Sequence, residues 1–239
     1  MTIYLLSDDY LGFPPVEEAT EEGIVAVGGD LSINRLINAY INGIFPWYNE
    51  GEPIVWYSPD PRLVLRPEDI KISKSLRKTL KNNTFEVRFD TNFEQIIHCC
   101  AQTKRKGSQG TWITNDIIKS YTKLHEIGIA HSVEVYKNQE LTGGLYGLSL
   151  GNVFFGESMF HTSTDASKVA FVHLCKFLHE NEFQLIDAQQ DTNHLRSLGA
   201  YTISRKQFLK LLEKHVFKPT LLGNWGDDSA KRIEVIKTI

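Results

Sequence analysis

The chain has 239 residues, three cysteines, 41% hydrophobic residues and a formal net charge of −3, which are ordinary values for a soluble globular protein. Its length allows a small domain beside one of standard size, the arrangement that we expect, and no apolar run is long enough to span a membrane. The slightly negative charge excludes a generally basic nucleic-acid binder, so any nucleic-acid contact must be a local patch.

The N-terminal part of the chain predicts a short strand, Ile3 to Leu6, and one firm helix. Ser32 is a good N-cap for that helix, Gly43 is placed to end it, and apolar side chains recur between them at helical spacing: Leu36, Ile37, Tyr40 and Ile41. The pair Gly28-Gly29 lacks the other residues of a nucleotide-binding loop and is read as a turn. The first ten residues contain no Lys or Arg, unlike a secretory signal, so we expect a cytoplasmic protein.

Aromatic residues cluster after the first helix. Three prolines accompany them and favour a stiff platform over a regular element, formed by Trp47, Tyr48, Trp56 and Tyr57. Such a platform could stack nucleic-acid bases, or it could be a packing cluster between two domains. We place the domain boundary here, which gives an N-terminal domain of residues 1–64 and a second domain of residues 65–239.

The start of the second domain is basic. Four lysines follow one another at steps of three and four, so on a helix they share one face: Lys71, Lys74, Lys78 and Lys81. A polar loop adds positive charge at Lys104, Arg105 and Lys106. The lysines could contact nucleic acid or could simply form a solvated basic surface.

The region 130–203 predicts an α+β fold. Three consecutive strands form a meander, a helix follows from Asp165 to Glu180, and a strand, a short helix and a further strand complete the order β-β-β-α-β-α-β. Asp165 or Thr164 is available to cap the long helix. This order describes a mostly antiparallel mixed sheet with a helix crossover, the layout of GNAT-type acyltransferases. We therefore expect a small N-terminal α/β domain followed by a GNAT-like domain.

Three polar residues are predicted to converge at the centre of that sheet. Glu157 interrupts an apolar strand that ends close to the start of the long helix, where free backbone N–H groups bind anions. Alternation along the next strand places Asp187 and Gln189 on one face, opposite Ile186. A lone Glu is more often a solvent-facing strand residue, but these neighbours favour a catalytic centre. The loop that enters the helix, Phe160 to Thr164, has no glycine to hold a coenzyme A pyrophosphate, so a different acyl donor is needed.

Neither a metal nor another cofactor is predicted. Cys99 and Cys100 are adjacent and Cys175 is distant, so the three cysteines have neither zinc-ligand spacing nor the pairing of a disulfide framework. We expect them to be buried thiols.

Many long motifs follow one another over about residues 23–208. In the first part of the chain these are Val27-Gly28-Gly29-Asp30-Leu31-Ser32, Gly43-Ile44-Phe45-Pro46-Trp47, Trp56-Tyr57-Ser58-Pro59-Asp60-Pro61-Arg62 and Gly110-Thr111-Trp112-Ile113-Thr114. In the second part they are His131-Ser132-Val133-Glu134-Val135, Gly143-Gly144-Leu145-Tyr146-Gly147, Phe155-Gly156-Glu157-Ser158-Met159-Phe160, Asp165-Ala166-Ser167-Lys168 and Leu185-Ile186-Asp187-Ala188-Gln189. In this order the motifs resemble one family, leucyl/phenylalanyl-tRNA protein transferase.

The resemblance implies an aminoacyltransferase that moves Leu or Phe, and possibly Met, from aminoacyl-tRNA to proteins with N-terminal Arg or Lys, marking them for degradation by the N-end rule. By the family's pattern Trp47 and Trp112 hold the 3′-terminal adenosine, in line with a base-stacking platform. The amino-acid side chain would occupy a pocket formed or bordered by Leu145, Phe154, Phe155, Met159 and Ile186. The catalytic centre would be Glu157, Asp187 and Gln189, with Asp187 acting as a base through Gln189 and Glu157 orienting either substrate. The four lysines would contact the acceptor stem of the tRNA.

One residue departs from the family's pattern, because Cys is common where this chain has Ala188. A nucleophilic thiol is impossible at that position, so direct attack of the amine on the ester is favoured. Two other functions stay open: a GNAT-type acyltransferase with another acyl donor, and a non-catalytic RNA-binding module. We expect a monomer with no membrane partner.

Overall fold

The computed structural model describes residues 3–7, 9–103, 111–227 and 229–235. Within these residues the α-helices are α1 (Ile33–Ile41), α2 (Lys74–Lys81), α3 (Phe93–Gln102), α4 (Asn115–Glu126), α5 (Ala166–Glu180), α6 (Asn193–Ser197) and α7 (Arg205–Val216). The strands are β1 (Tyr4–Leu6), β2 (Ile24–Gly28), β3 (Phe45–Pro46), β4 (Val55–Tyr57), β5 (Arg62–Leu65), β6 (Glu86–Phe89), β7 (Ala130–Lys137), β8 (Glu140–Leu150), β9 (Val153–His161), β10 (Leu185–Gln189), β11 (Tyr201–Ile203), β12 (Thr220–Leu222) and β13 (Lys231–Ile233). No helix in this part of the chain is both long and apolar enough to cross a membrane.

The N-terminal region forms a four-stranded sheet in the order β1-β2-β4-β3. The predicted irregular aromatic platform is wrong for Trp56 and Tyr57, which lie in β4, whereas Trp47 and Tyr48 lie in the loop that follows β3. Trp56 is fully buried, and its indole N–H donates to the carbonyl of Gly28 at 2.9 Å. Trp56 is thus a core residue of this sheet, because its ring and its one polar atom are both satisfied inside the protein.

A seven-stranded sheet in the order β11-β5-β10-β9-β8-β7-β6 forms the larger part of the fold. Its pairs are antiparallel except for β9 and β10, which run parallel because helix α5 crosses between them. The predicted α+β fold with a mostly antiparallel mixed sheet and a helix crossover is confirmed. Strand β5 belongs to this sheet, so the proposed domain boundary between residues 64 and 65 falls inside a strand.

Two apolar layers cover the faces of this sheet. One layer contains α1, α3, α4 and α7 and is continuous with the core of the N-terminal sheet; the other contains α2 and α5. Strands β9 and β10 pair only from Val153 with Leu185 to Phe155 with Asp187, although β9 continues to His161. The two strands therefore diverge beyond Phe155 and leave an opening in the middle of the sheet.

One local prediction differs from the structure, and the C-terminal tail, for which the sequence predicted no element, is ordered. Asp165 precedes α5 with a left-handed backbone (φ +67°) and makes no side-chain cap; its carboxylate instead accepts hydrogen bonds from Lys168 and from Thr79 on α2. The C-terminal tail, which has no sequence period, forms the β12–β13 hairpin and buries Trp225 with its ring stacked on His131 at a centroid distance of 3.6 Å. Long-range packing decides both, which a local pattern does not report.

Candidate active site

The opening between β9 and β10 leads into a cavity of about 510 Å³. Residues from the N-terminal sheet, strands β8 to β10 and helix α5 line it. They include Phe45, Pro46, Trp47, Trp112, Leu145, Tyr146, Phe154, Gly156, Glu157, Ser158, Met159, Phe171, Leu174, Ile186, Ala188, Gln189, Gln190, Thr192, His194 and Leu195. This volume is within the range of small-molecule sites, and the lining is mainly apolar with a few polar groups.

Glu157 reaches the cavity because β9 has a bulge at this residue. Tyr146 of β8 pairs with Ser158 and Gly147 pairs with Gly156, so Glu157 has no partner in the ladder. A bulge turns one side chain away from the regular alternation, and bulges are common beside active sites. The sequence identified Glu157 as anomalous in an apolar strand; the bulge is the structural cause.

Gln189 lies on a second irregularity, where the pairing of β10 with β5 shifts between Asp187 and Gln189. Its backbone has φ +59°, a left-handed conformation that is unfavourable for a residue with a side chain. As a result Gln189 lines the cavity together with Ile186, although simple alternation predicted that they face opposite sides.

Asp187 does not line the cavity but lies behind Gln189, fully buried. Its carboxylate accepts two hydrogen bonds from Arg62 on β5, from Nε at 2.8 Å and from Nη2 at 2.7 Å, and a third from the backbone N–H of Gln189 at 3.0 Å. The guanidinium lies against the rings of Phe45 and Phe208. The arrangement fixes the backbone of Gln189, because the carboxylate that accepts its N–H is itself held by two charge-assisted hydrogen bonds.

Glu157 is held by three side chains. Its Oε1 accepts from Tyr40 Oη at 2.7 Å and from Gln189 Nε2 at 2.9 Å, while its Oε2 lies 3.5 Å from Tyr121 Oη. The hydroxyls of Tyr40 and Tyr121 are themselves hydrogen-bonded to each other. Burial raises the pKa of Glu157 to about 8, against the opposing effect of the Tyr40 and Gln189 hydrogen bonds. Glu157 is therefore a carboxyl group that gains and loses a proton near neutral pH.

One wall of the cavity is apolar. Four of the five residues predicted for the side-chain pocket line it, together with Phe171 and Leu174 of α5: Leu145, Phe154, Met159 and Ile186. Phe155 is the exception, because alternation along β9 turns it to the other face, where its ring meets Tyr40 edge to face at 5.1 Å. Phe155 thus packs against Tyr40, which in turn donates a hydrogen bond to Glu157.

Trp47 and Trp112 both line the cavity. Trp47 follows β3, is 39% exposed and contacts Tyr57 edge to face at 5.5 Å. Trp112 lies just before the N-cap of α4, Thr114, whose hydroxyl is 3.0 Å from Tyr48 Oη. This hydrogen bond joins the two segments that carry the tryptophans.

Residues that could hold a metal or attack as a thiol are not found in the described part of the site. No group of three His, Cys, Asp or Glu side chains suited to a metal occurs among the described residues. Ala188 lines the cavity where a thiol would be possible, and Cys100 and Cys175 are buried outside the cavity lining. The functional groups at hand are a carboxyl, amides, hydroxyls, an imidazole and aromatic rings, and the polar ones belong to Glu157, Ser158, Gln189, Gln190, Thr192 and His194.

Two family models match the chain: leucyl/phenylalanyl-tRNA protein transferase over residues 64–213, and the N-terminal domain of the same enzyme over residues 29–60. The leucyl/phenylalanyl-tRNA–protein transferase of Myxococcus xanthus is 52% identical over 231 residues, which cover 96% of this chain and 99% of that protein. The chain belongs to the leucyl/phenylalanyl-tRNA protein transferase family. The predicted family is thereby confirmed, as is the prediction that the chain is an aminoacyltransferase enzyme.

Another leucyl/phenylalanyl-tRNA–protein transferase, from Legionella pneumophila, is 50% identical over 221 residues, which cover 92% of this chain and 99% of that protein. Among solved structures, a GCN5-related N-acetyltransferase from Kribbella flavida matches with a TM-score of 0.38 and 10% identity over 68% of this chain and 58% of that one. The structural match is too distant to add to the family assignment.

The predicted basic helix is shorter than the lysine pattern. Ser73 caps α2 by accepting a hydrogen bond from Leu76 N at 3.2 Å, so the helix starts at Lys74 and Lys71 precedes it. Lys71, Lys74, Lys78 and Lys81 are all exposed. The basic residues Lys104, Arg105 and Lys106 lie outside the described residues.

The sequence did not identify Tyr40, Tyr121 or Arg62 as part of the site. Tyr40 was read as a core residue of α1, which it also is, since a buried tyrosine at helical spacing gives no sign of what its hydroxyl meets. Phe171 and Leu174 of α5 were not identified from the sequence either, although both are buried.

Proposed function

We propose that this transferase moves leucine or phenylalanine from aminoacyl-tRNA to the N-terminal amine of proteins that begin with Arg or Lys, as an N-end rule enzyme. The observation that carries the proposal is the cavity itself, which combines two tryptophans, an apolar wall and a buried polar centre. An aminoacyl-adenosine has the matching parts: a base, an apolar side chain and a reactive ester.

The donor binds through its base and its side chain. The adenine of the 3′-terminal adenosine stacks on Trp47 and Trp112, and such stacking contributes about 1–3 kcal/mol per base. The leucyl or phenylalanyl side chain packs against the apolar wall of Leu145, Phe154 and Met159. Burial of its apolar surface stabilises this contact, whereas a charged side chain would lose its hydration there without gaining a partner. The ester is then next to Glu157 and Gln189.

The polar centre acts on the attacking amine. A neutral amine can donate hydrogen bonds to Gln189 Oε1 and to the carboxylate of Glu157, which orients its lone pair toward the ester carbon. Asp187 does not touch the substrate in this scheme; through the backbone N–H of Gln189, and anchored by Arg62, it keeps Gln189 in place. Asp187 is therefore a positioning residue. The role of base, which the resemblance gave to Asp187, belongs to a different residue in this scheme.

The reaction is a direct aminolysis. The carbon–nitrogen bond forms, the ester bond to the ribose oxygen breaks, and the products are a lengthened protein and a deacylated tRNA. Ala188 in the cavity lining favours this route over a covalent thioester. The exposed lysines of α2, together with Lys71, bind the phosphates of the acceptor stem. They form a local basic patch on a protein whose net charge is negative, so this surface attracts nucleic acid where the rest of the protein does not.

The decisive test incubates the protein with Phe-tRNA and a peptide that begins with Arg, and measures the peptide's mass. We expect a peptide longer by one phenylalanine. Matched peptides that begin with Lys and Ala test the acceptor, with extension expected for Lys and not for Ala. Addition of an acyl group from acetyl coenzyme A instead would indicate the GNAT-type alternative, and tRNA binding without any product would indicate an RNA-binding module.

A further inference from the structure

Beside the cavity, the hydroxyls of Tyr121 and Tyr40 and the carboxyl of Glu157 form a closed set of contacts. Tyr40 comes from α1, Tyr121 from α4 and Glu157 from the bulge of β9, so three distant parts of the chain meet here. Tyr40 Oη contacts Tyr121 Oη and Glu157 Oε1, and Tyr121 Oη also faces Glu157 Oε2. We name these three side chains the tyrosine–glutamate ring.

Donor counting gives the ring a direction. A phenol has one proton to donate, so when Tyr40 donates to Glu157 Oε1, Tyr121 donates to Tyr40. Gln189 Nε2 also donates to Oε1, which leaves Oε2 as the carboxylate oxygen with fewer donors. Oε2 is therefore the oxygen that is ready to accept a proton.

The protonated state is satisfied as well. A proton on Oε2 can be donated to Tyr121 Oη, 3.5 Å away, while Tyr121 still donates to Tyr40 and Tyr40 to Oε1. Every donor in the ring then has an acceptor inside the ring. Both tyrosines are fully buried, which raises the pKa of each well above its usual value, so both remain neutral phenols.

Resting on the proposed function, we propose that the tyrosine–glutamate ring is the proton carrier of the transfer reaction, with Glu157 as the catalytic residue and Tyr40 and Tyr121 as its positioning residues. When the amine attacks, one N–H proton passes to Glu157 Oε2 as the carbon–nitrogen bond forms. When the ester bond breaks, the same proton passes to the departing ribose oxygen. The carboxylate is restored, so the step balances without another reactant.

The charges around Glu157 fit this role. Besides the ring and Gln189, the charged groups that act on it are Asp187 on β10, which raises its pKa, and Arg62 on β5, which lowers it, and these two are paired with each other. Burial is the largest effect and brings the pKa of Glu157 to about 8. A group with a pKa near the working pH can take a proton from the attacking nitrogen, which becomes positively charged as the bond forms, and can then give the proton to the departing oxygen.

The test follows the protonation of Glu157 directly. In protein with ¹³C-labelled glutamate carboxyls, the resonance that Glu157→Gln removes should titrate near pH 8 in the wild type. Tyr40→Phe takes a donor from the charged form, so the midpoint should rise by about one pH unit. Tyr48→Phe, which removes a buried phenol bonded to the neutral Thr114, should leave the midpoint in place.

Transfer kinetics give the second readout. With one acceptor peptide, the acidic limb of kcat/KM should move to higher pH in Tyr40→Phe by the same amount, and Glu157→Gln should lower kcat by about 10² or more while KM for Phe-tRNA stays within a few fold. An unshifted Tyr40→Phe midpoint, or Glu157→Gln with wild-type kcat, would overturn the proposal. If Glu157 titrates as expected but no peptide is lengthened, the proposed function fails while the hydrogen-bonded ring itself stands.

Discussion

The two sides of the cavity are built by different means. The apolar wall uses regular strand and helix positions, whose side chains point where the alternation of β8 and β9 and the period of α5 direct them. The polar side uses two irregular positions, the bulge at Glu157 and the left-handed residue Gln189, supported by buried partners from three other elements, α1, α4 and β5. The shape of the cavity thus follows from regular secondary structure, whereas the positions of its polar groups depend on irregular backbone.

The largest expected effect breaks the support of the polar side. Asp187→Ala leaves the fully buried Arg62 guanidinium without its carboxylate, and removal of one partner of a buried ion pair costs about 3–5 kcal/mol. Denaturant unfolding should therefore show a large loss in the free energy of unfolding. As the matched control, Glu86→Ala removes a carboxylate from the exposed pair with Arg88 and should change little. Equal losses in both variants would mean that Asp187 does not brace the site.

Glu157→Gln should stabilise the protein in a manner that depends on pH. The unfolded chain releases the Glu157 proton near pH 4.5, whereas the folded chain holds it until about pH 8. Between these values the charged form favours the unfolded state, so wild-type stability falls as pH rises and levels off above pH 8. The variant lacks this loss and should be more stable at pH 7 by about 3 kcal/mol, with the difference vanishing near pH 4. A difference that does not change with pH would show that Glu157 titrates normally.

A change in the apolar wall should alter specificity and leave the polar side intact. Leu145→Trp reduces the pocket volume, so Phe should be rejected more strongly than Leu by about 1–3 kcal/mol. Competition between Leu-tRNA and Phe-tRNA for one acceptor measures this preference. Leu145→Met keeps the volume and should keep the wild-type preference. If Leu145→Trp also keeps it, Leu145 does not contact the donor's side chain.

The smallest expected effect comes from exposed residues of α2, which do not line the cavity. Lys74→Ala with Lys78→Ala removes two exposed charges from α2 and should flatten the slope of log K against log salt for tRNA by roughly one unit per lysine. Lys206→Ala with Lys210→Ala removes the same charge from α7, which packs on the opposite face of the sheet, and is the matched comparison. A slope that changes equally in both double variants would argue against a specific contact at α2.

The contrast between regular and irregular positions also explains which residues of the cavity the sequence could predict. The order of elements and the crossover helix could be predicted, because periodicity is a local property, whereas Leu145, Phe154 and Ile186 of the apolar wall were implied by the resemblance to the family. Phe155 was grouped with the pocket residues, although its alternation with Phe154 places the two side chains on opposite faces of β9. Glu157 could be recognised as an anomaly, but its bulge could not.

The partners of the polar side were hidden for another reason. Arg62 and Asp187 are 125 positions apart, and Tyr40 and Tyr121 are 81 apart, so nothing near either residue in the sequence indicates the pairing. The resemblance to the family supplied the residues that are proposed to contact the substrate, namely Trp47, Trp112, Glu157 and Gln189, and also Asp187. It gave no role to the residues that hold the polar groups in place, namely Arg62, Tyr40 and Tyr121.

We propose that this cavity accepts an aminoacyl-adenosine and transfers its amino acid to an amine. The most direct measurement incubates the protein with phenylalanyl-adenosine, the part of the donor proposed to enter the cavity, and a peptide that begins with Arg, and then determines the mass of the peptide. We predict a peptide longer by one phenylalanine, formed at a rate that falls steeply in Glu157→Gln. A peptide of unchanged mass, at donor concentrations that protect the wild-type protein against thermal unfolding, would show that the cavity binds the donor without performing the transfer, and the proposed function would be wrong.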